Sequence, residues 1–178
     1  MKRTRPILIR ITTVPISLRL LLKGQMRFMK EQGFDVIMIS ADGKEAEVLE
    51  ELEGCEMITL PMERSVSPLN DLRSLSRLIR IFRNIRPDIV HSHTPKAGLL
   101  GMLAAWITRV PVRLHTVAGL PWIGYQGFSY ALLRKMEQLT AACALRVYPN
   151  SSGLYDFLDH QRVAKVSKMK LLGRGSSN

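Results

Sequence analysis

Two cysteines, Cys55 and Cys143, are all the thiols this chain of 178 residues has, too few and too isolated for a disulfide framework or a zinc site. A reducing compartment such as the cytosol fits that usage. Long apolar runs are missing as well. The longest uncharged apolar stretch, Ala97 to Ile107, falls short of the roughly 20 residues a membrane-spanning helix needs, so it reads as a buried helix. The basic start, Met1 to Pro6, leads into an apolar run that Arg10 breaks and that lacks a small-residue cleavage site, which argues against a signal peptide. The turn Thr13-Val-Pro-Ile-Ser17 lacks G-x-G-x-x-G, and no P-loop occurs, so a dinucleotide site is disfavoured. No internal repeat or low-complexity tract is present.

Acidic side chains are scarce over most of the chain. Seven of the fifteen Asp and Glu lie between Asp42 and Glu56, and outside that window 25 Lys and Arg face 8 Asp and Glu. Such an excess implies an anionic partner: lipid headgroups, nucleotide phosphates or nucleic acid. With 46% apolar and 23% charged residues the balance is that of a globular protein, and the length suits one domain with a proper core.

Periodicity predicts strands alternating with helices. Ile7 to Thr13 reads as the first strand, and Ser17 suits the N-cap of a helix running to about Gln32, closed by Gly33 as a left-handed cap. A second strand, Asp35 to Ser40, precedes a strongly acidic helix and a strand near Met57 to Leu60. Pro61 to Pro68 reads as a loop, and Leu69, Leu72, Leu75, Ile79 and Phe82 mark a helix to about Ile85. Then follow a strand from Asp88, an apolar helix from Lys96, a strand Val112 to Val117, and a helix near Ser129 to Ala142. A strand Leu145 to Pro149, a helix from Ser151 and a last strand at Lys170-Leu-Leu complete the series. That alternation predicts an α/β class protein, a parallel sheet with helices on both faces. Asn150-Ser-Ser matches a glycosylation sequon but reads as a strand-to-helix turn with a hydroxyl cap.

The chemistry concentrates in Arg86-Pro-Asp-Ile-Val-His-Ser-His-Thr-Pro-Lys-Ala-Gly98. Its β-branched strand runs into Pro95, which suits a helix's first turn, so His91, His93, Thr94 and Lys96 cluster at a strand's carboxyl end, where open parallel sheets bind ligands. His91 and His93 share a strand face, which would suit two ligands of one metal, but no third ligand stands at a convincing spacing. His91 is therefore expected in or near the core, with His93, Thr94 and Lys96 nearer a cleft. Lys96 at a helix start is placed to meet a phosphate or a sugar hydroxyl, or else is an ordinary solvated lysine. His115 ends a strand and precedes the permissive turn Thr116-Val-Ala-Gly119, so it is either a site residue or a satisfied strand-end histidine. Pro121 to Tyr125 with Phe128 form an aromatic loop that stacks on a sugar, dips into a membrane interface, or caps the sheet.

Arg86 to Gly98, together with Val112-Arg-Leu-His-Thr-Val-Ala-Gly-Leu-Pro-Trp122, resembles the amino-terminal half of retaining glycosyltransferases of GT-B type, family four, and among them bacterial enzymes that build capsule, O-antigen and other surface polysaccharides. The resemblance implies a Rossmann-like domain over 1–172, one half of a GT-B architecture. Residues 173–178 would then start a linker to a second, donor-binding α/β domain that this sequence lacks. It also implies a hexose moved from a nucleotide sugar to a lipid-linked saccharide acceptor with the metal dispensable and no cofactor beyond the donor substrate. His115 would be the catalytic residue beside the anomeric carbon, with His93, Thr94, Lys96, Thr116 and Gly119 lining the acceptor side. Relatives carry two glycines near the donor phosphates in the first strand-to-helix loop. This sequence departs from that pattern and offers Thr13 and Ser17 there instead.

Parallel strands are expected to set His93 and His115 side by side along the rim of an open groove. Two basic stripes, Arg19, Lys23, Arg27 and Lys30 on the first helix and Arg73, Arg77, Arg80 and Arg83 on the third, have almost no acidic partners at i+4. Either they are solvated helix faces, or they hold the chain peripherally on the anionic inner face of the cell membrane. The expected partners are a nucleotide sugar, a lipid-linked acceptor, an anionic membrane surface and a second α/β domain or subunit. Nucleic acid is not among them, because no recognition motif accompanies the charge. The alternative function is a non-catalytic subunit that recruits the acceptor or the membrane for a split glycosyltransferase.

Overall fold

Six short strands rich in Ile, Val and Leu run side by side and parallel in a computed structural model that describes residues 4–63, 65–120 and 122–173. They are β1 (Ile7–Ile11), β2 (Asp35–Ser40), β3 (Glu56–Thr59), β4 (Ile89–Ser92), β5 (Val112–Val117) and β6 (Arg146–Pro149), in the order β3-β2-β1-β4-β5-β6. The strands of the middle, β1 and β4, are buried on both faces, which is why most of β1 and the first half of β4 are apolar rather than alternating. The order reverses between β1 and β4, and the crevice beyond their carboxyl ends is where sheets of this kind take ligands.

Helices cover both faces. On one side lie α1 (Pro15–Leu21), α2 (Gln25–Glu31) and α3 (Lys44–Glu53), whose Leu18, Met26 and Leu49, with Leu22 just past α1, pack on Leu8, Val36 and Met38. On the other, α4 (Pro68–Ile85), α5 (Pro95–Ile107) and α6 (Gly127–Cys143) pack around Ile9, Ile11 and Val90. The chain closes with α7 (Ser152–His160), capped by the Ser151 hydroxyl accepting from Leu154 N at 3.1 Å, as the sequence predicts for that turn. Burying each such Leu or Ile fully contributes about 1.5–3 kcal/mol before entropy is counted. α5 is apolar all round because it is enclosed by the sheet, α4 and α6. Gly101 lets it sit close, since a Cβ there would stand 3.2 Å from Ile11 Cγ2.

Three expectations need correction. The single helix from Ser17 to Gln32 is two helices broken at Gly24, whose φ of 75° is left-handed. The buried Glu53 carboxylate explains the break, because it accepts from Gly24 N at 2.7 Å and Arg27 N at 3.0 Å and so satisfies the open end of α2. Ser17 is not an N-cap: Val14 holds that position and Ser17 lies inside α1. Lys170-Leu-Leu is not a strand; a 3₁₀ turn at Val166–Lys168 and a lone bridge from Met169 to Val147 stand there instead. Gly33 does take a left-handed conformation, φ 92°, just past α2. Residues 174–178 of the expected linker, and Pro121 of the aromatic loop, lie outside the described residues.

Candidate functional site

The carboxyl ends of β1, β4 and β5 open onto two adjoining cavities of about 310 and 400 Å³ that share Thr94, Pro95 and Glu137 as a common wall. Thr13, Ser17, Thr94 and Lys96 border the first. His93, Thr94, His115, Thr116 and Gly119 border the second. Every cleft residue expected from the sequence thus reaches this one end of the sheet, because each stands in or just past the last residues of a parallel strand or in the first turn of the helix after it.

His93 and His115 are nonetheless not side by side. The β4–β5 register sets Ser92 opposite His115, and successive side chains alternate between faces, so the two imidazoles leave the sheet on opposite faces. They meet only at the edge, where both border the larger cavity.

On the α1–α3 side the chemistry is cationic. Arg10, 8% exposed, donates through one Nη1 to His91 Nδ1 at 2.8 Å and His93 Nε2 at 2.9 Å, and its Nε has no partner. Among the described residues no carboxylate reaches it. Burial pushes its pKa down to about 10. The two imidazole rings lie 4.1 Å apart, and both pKa values are held well below the usual histidine value, chiefly by burial. The neighbouring positive charge adds to that shift. Both histidines are therefore neutral at pH 7. A guanidinium only donates, so the nitrogens facing Arg10 must be bare. His91 then carries its proton on Nε2 and donates to Thr116 Oγ1 at 2.8 Å, and His93 carries its proton on Nδ1. The lone pairs that two metal ligands would need are engaged by Arg10.

On the α4–α6 side the chemistry is acidic. His115 is 1% exposed, with Nδ1 on Ser92 Oγ at 2.8 Å and Nε2 on Glu137 Oε1 at 3.2 Å. It lies against α5 so closely that a Cβ on Gly98 would stand 2.6 Å from its Cε1. His115 therefore has both polar atoms engaged by the protein, and the carboxylate it holds, Glu137, is the group that borders both cavities.

Thr13 and Lys96 are also spoken for. Thr13 is buried, and its hydroxyl bonds Thr94 Oγ1 at 2.7 Å and accepts from Ala97 N at 3.3 Å, closing the first turn of α5. The Lys96 ammonium, expected on a phosphate, sugar or solvent, instead donates to Asp71 Oδ1 at 2.7 Å and to Ser65 O in a half-buried pair that ties α5 to α4. Gly119 is exposed and a Cβ there would meet nothing within 4 Å, so no close approach requires glycine.

The aromatic loop divides. Trp122 is buried between Tyr130, 5.2 Å away edge-on, and Phe157 at 5.4 Å, so it caps the fold. Ile123, Tyr125 and Phe128 stay exposed, Phe128 by 82%, and Leu69, 75% exposed, and Leu72 do likewise at the start of α4. Arg19, Lys23, Arg27, Lys30, Arg73, Arg77, Arg80 and Arg83 are all exposed. The first four lie on the α1–α2 layer and the last four on α4, across the sheet, so the two stripes do not merge into one patch.

Sequence reasoning missed Arg10 and Glu137. Each left a signal: a charge inside a strand otherwise apolar, and an acid on the helix face shared by Leu133, Thr140 and Ala141. Ser92 and Asp71 left none.

Residues 22–174 match a family model described as a glycosyl transferase 4-like domain. A capsular polysaccharide biosynthesis glycosyltransferase of Staphylococcus aureus is 39% identical over 158 residues, covering 89% of this chain and 41% of its own length. A UDP-Gal:α-D-GlcNAc-diphosphoundecaprenol α-1,3-galactosyltransferase of Escherichia coli is 35% identical over 85 residues, 47% of this chain and 22% of that protein. The crystal structure of a glycosyltransferase from Rickettsia africae superposes with a TM-score of 0.73 at 18% identity, over 97% of this chain and 44% of that one. The chain thus spans under half the length of these relatives, and its fold is that of one half of a GT-B architecture.

Proposed function

The chain belongs to the glycosyl transferase 4-like domain family, and from that premise we propose that it is the acceptor-side half of a retaining hexosyltransferase. It takes a hexose from a nucleotide sugar to a lipid-linked saccharide, in capsule, O-antigen or exopolysaccharide synthesis, and is inactive without a donor-binding second domain. The observation that carries this reading is the pair of joined cavities at the β1/β4 reversal, walled on one side by an acid held on a histidine and on the other by donors backed by a buried cation.

In this reading His115 works through Glu137: hydrogen-bonded between Ser92 and that carboxylate, it fixes the carboxylate at the junction of the cavities, where a hexose hydroxyl or an acceptor hydroxyl is received. Thr94 and Thr116 line the acceptor side, and Ser17 faces the donor. His91 and His93 hold no metal for the donor in this reading, because their lone pairs are already taken by Arg10. The exposed apolar side chains Leu69, Leu72, Ile123 and Phe128 support a peripheral seat on the inner membrane face, where a lipid acceptor resides. Among the described residues no helix is long and apolar enough to cross a membrane.

The test is transfer of labelled hexose from nucleotide sugars to prenyl-diphosphate-linked N-acetylglucosamine, by the chain alone and by the chain joined to a second α/β domain. Product from the joined form only is the expected result. No product from either form, across the common nucleotide hexoses, overturns the reading.

A further inference from the structure

Arg10 stands out as a buried charge to which the transferase reading assigns no ligand of its own. A buried cation is costly unless an anion or several acceptors compensate it, yet Arg10 meets two neutral imidazoles and keeps an unpartnered Nε. Its two hydrogen bonds settle the proton positions on both rings, and both chains end at one place. His93 borders the larger cavity, and with Nε2 taken by Arg10 its Nδ1–H is the ring donor left to serve there. His91 Nε2–H fills one lone pair of Thr116 Oγ1, which leaves the hydroxyl hydrogen of Thr116 to donate into the same cavity. A positive charge at the far end of each chain polarises both donors outward.

We propose that Arg10 is a positioning residue that makes His93 Nδ1–H and Thr116 Oγ1–H a paired donor site for an anionic phosphate oxygen, so that this cavity receives the diphosphate of a ligand. An incoming anion supplies the countercharge that Arg10 lacks inside the protein, at one imidazole's remove, and needs no lysine, since Lys96 is held by Asp71. The diphosphate class rests on the transferase reading, whereas the donor geometry does not. Binding is therefore measured without turnover, so that one can fail without the other.

The experiment is long-range proton–nitrogen spectroscopy of the whole chain with labelled histidine, followed by titration with inorganic pyrophosphate. His93 is expected to carry its proton on Nδ1 and His91 on Nε2, and pyrophosphate to move the His93 ring signals. Arg10→Met should mix the tautomers and weaken pyrophosphate roughly tenfold or more, Thr116→Val should weaken it by about tenfold with the His93 tautomer intact, and Arg10→Lys should recover part of the loss. Should Arg10→Met fail to fold, the wild-type tautomers and Thr116→Val decide. A His93 proton on Nε2 in the wild type, or pyrophosphate affinity within about twofold of wild type in Thr116→Val, overturns the proposal. Uridine diphosphate and geranyl diphosphate, titrated separately, tell a donor phosphate from an acceptor phosphate. Pyrophosphate bound with neither of them held would keep the anion site and remove its assignment to a substrate's diphosphate.

Discussion

The two faces of the sheet at its carboxyl end carry opposite chemistries built from neighbouring residues of one strand. Toward α1–α3, His91 and His93 are neutral and lean on the cation Arg10. Toward α4–α6, Ser92 leads through His115 to the acid Glu137. One imidazole type serves as an acceptor of a cation's hydrogen bonds on the first face and as the partner of a carboxylate on the second, so the neighbour across the strand, not the residue, sets its role.

That contrast breaks most strongly with pH. His91 and His93 resist protonation in the folded state but not in the unfolded chain, so the unfolded state binds more protons below about pH 6.5 and stability falls as pH drops. The loss runs at up to about 2.7 kcal/mol per pH unit for the pair, and continues down to their depressed folded values. His93→Gln keeps an acceptor for Arg10 and should halve that slope in urea unfolding followed from pH 7 to 5. An unchanged slope would show that His93 is not held neutral.

Next in size is Gly98→Ala, confined to the acidic face. Its Cβ would drive against the His115 ring and cost about 2 kcal/mol, read as a lower denaturation midpoint, because backbone and ring both have to move. A neutral result would mean that His115 is free to shift and holds Glu137 loosely.

Smaller again are the two hydroxyls, one per face. Ser92→Ala and Thr116→Val each remove one partner of a histidine nitrogen, and each should cost about 1 kcal/mol in thermal unfolding. A much larger cost for Ser92 would place the stability of the site on the His115 side. Least affected is the exposed Arg77→Ala, within about 0.5 kcal/mol, which calibrates the series.

Much of the architecture was readable. Apolar β-branched runs located β1, β2, β4 and β5, and Pro95 correctly placed the helix after β4 and set Thr94 at a strand–helix junction. The break in the first helix was not readable, because nothing near Gly24 announces that Glu53, 29 residues away, accepts from its backbone N–H. Lys96 looked free for the same reason, its partner Asp71 lying 25 residues upstream. Arg10 registered only as an interruption of an apolar run, although a charge inside a strand of a parallel sheet has to find partners within the core.

Local sequence determined which residues stand at the carboxyl ends of the strands, since strand periodicity, turn chemistry and the alternation of strands with helices are short-range properties of the chain. Which face each of them takes was decided only by tertiary structure. His93 and His115 part company because β4 pairs with β5 through Ser92 opposite His115, and a shift of one residue in that register would have put the two imidazoles on the same side. Which residue of β5 stands opposite Ser92 depends on how the buried side chains of both strands fit the layers above and below them, a long-range condition that neither strand's sequence contains alone.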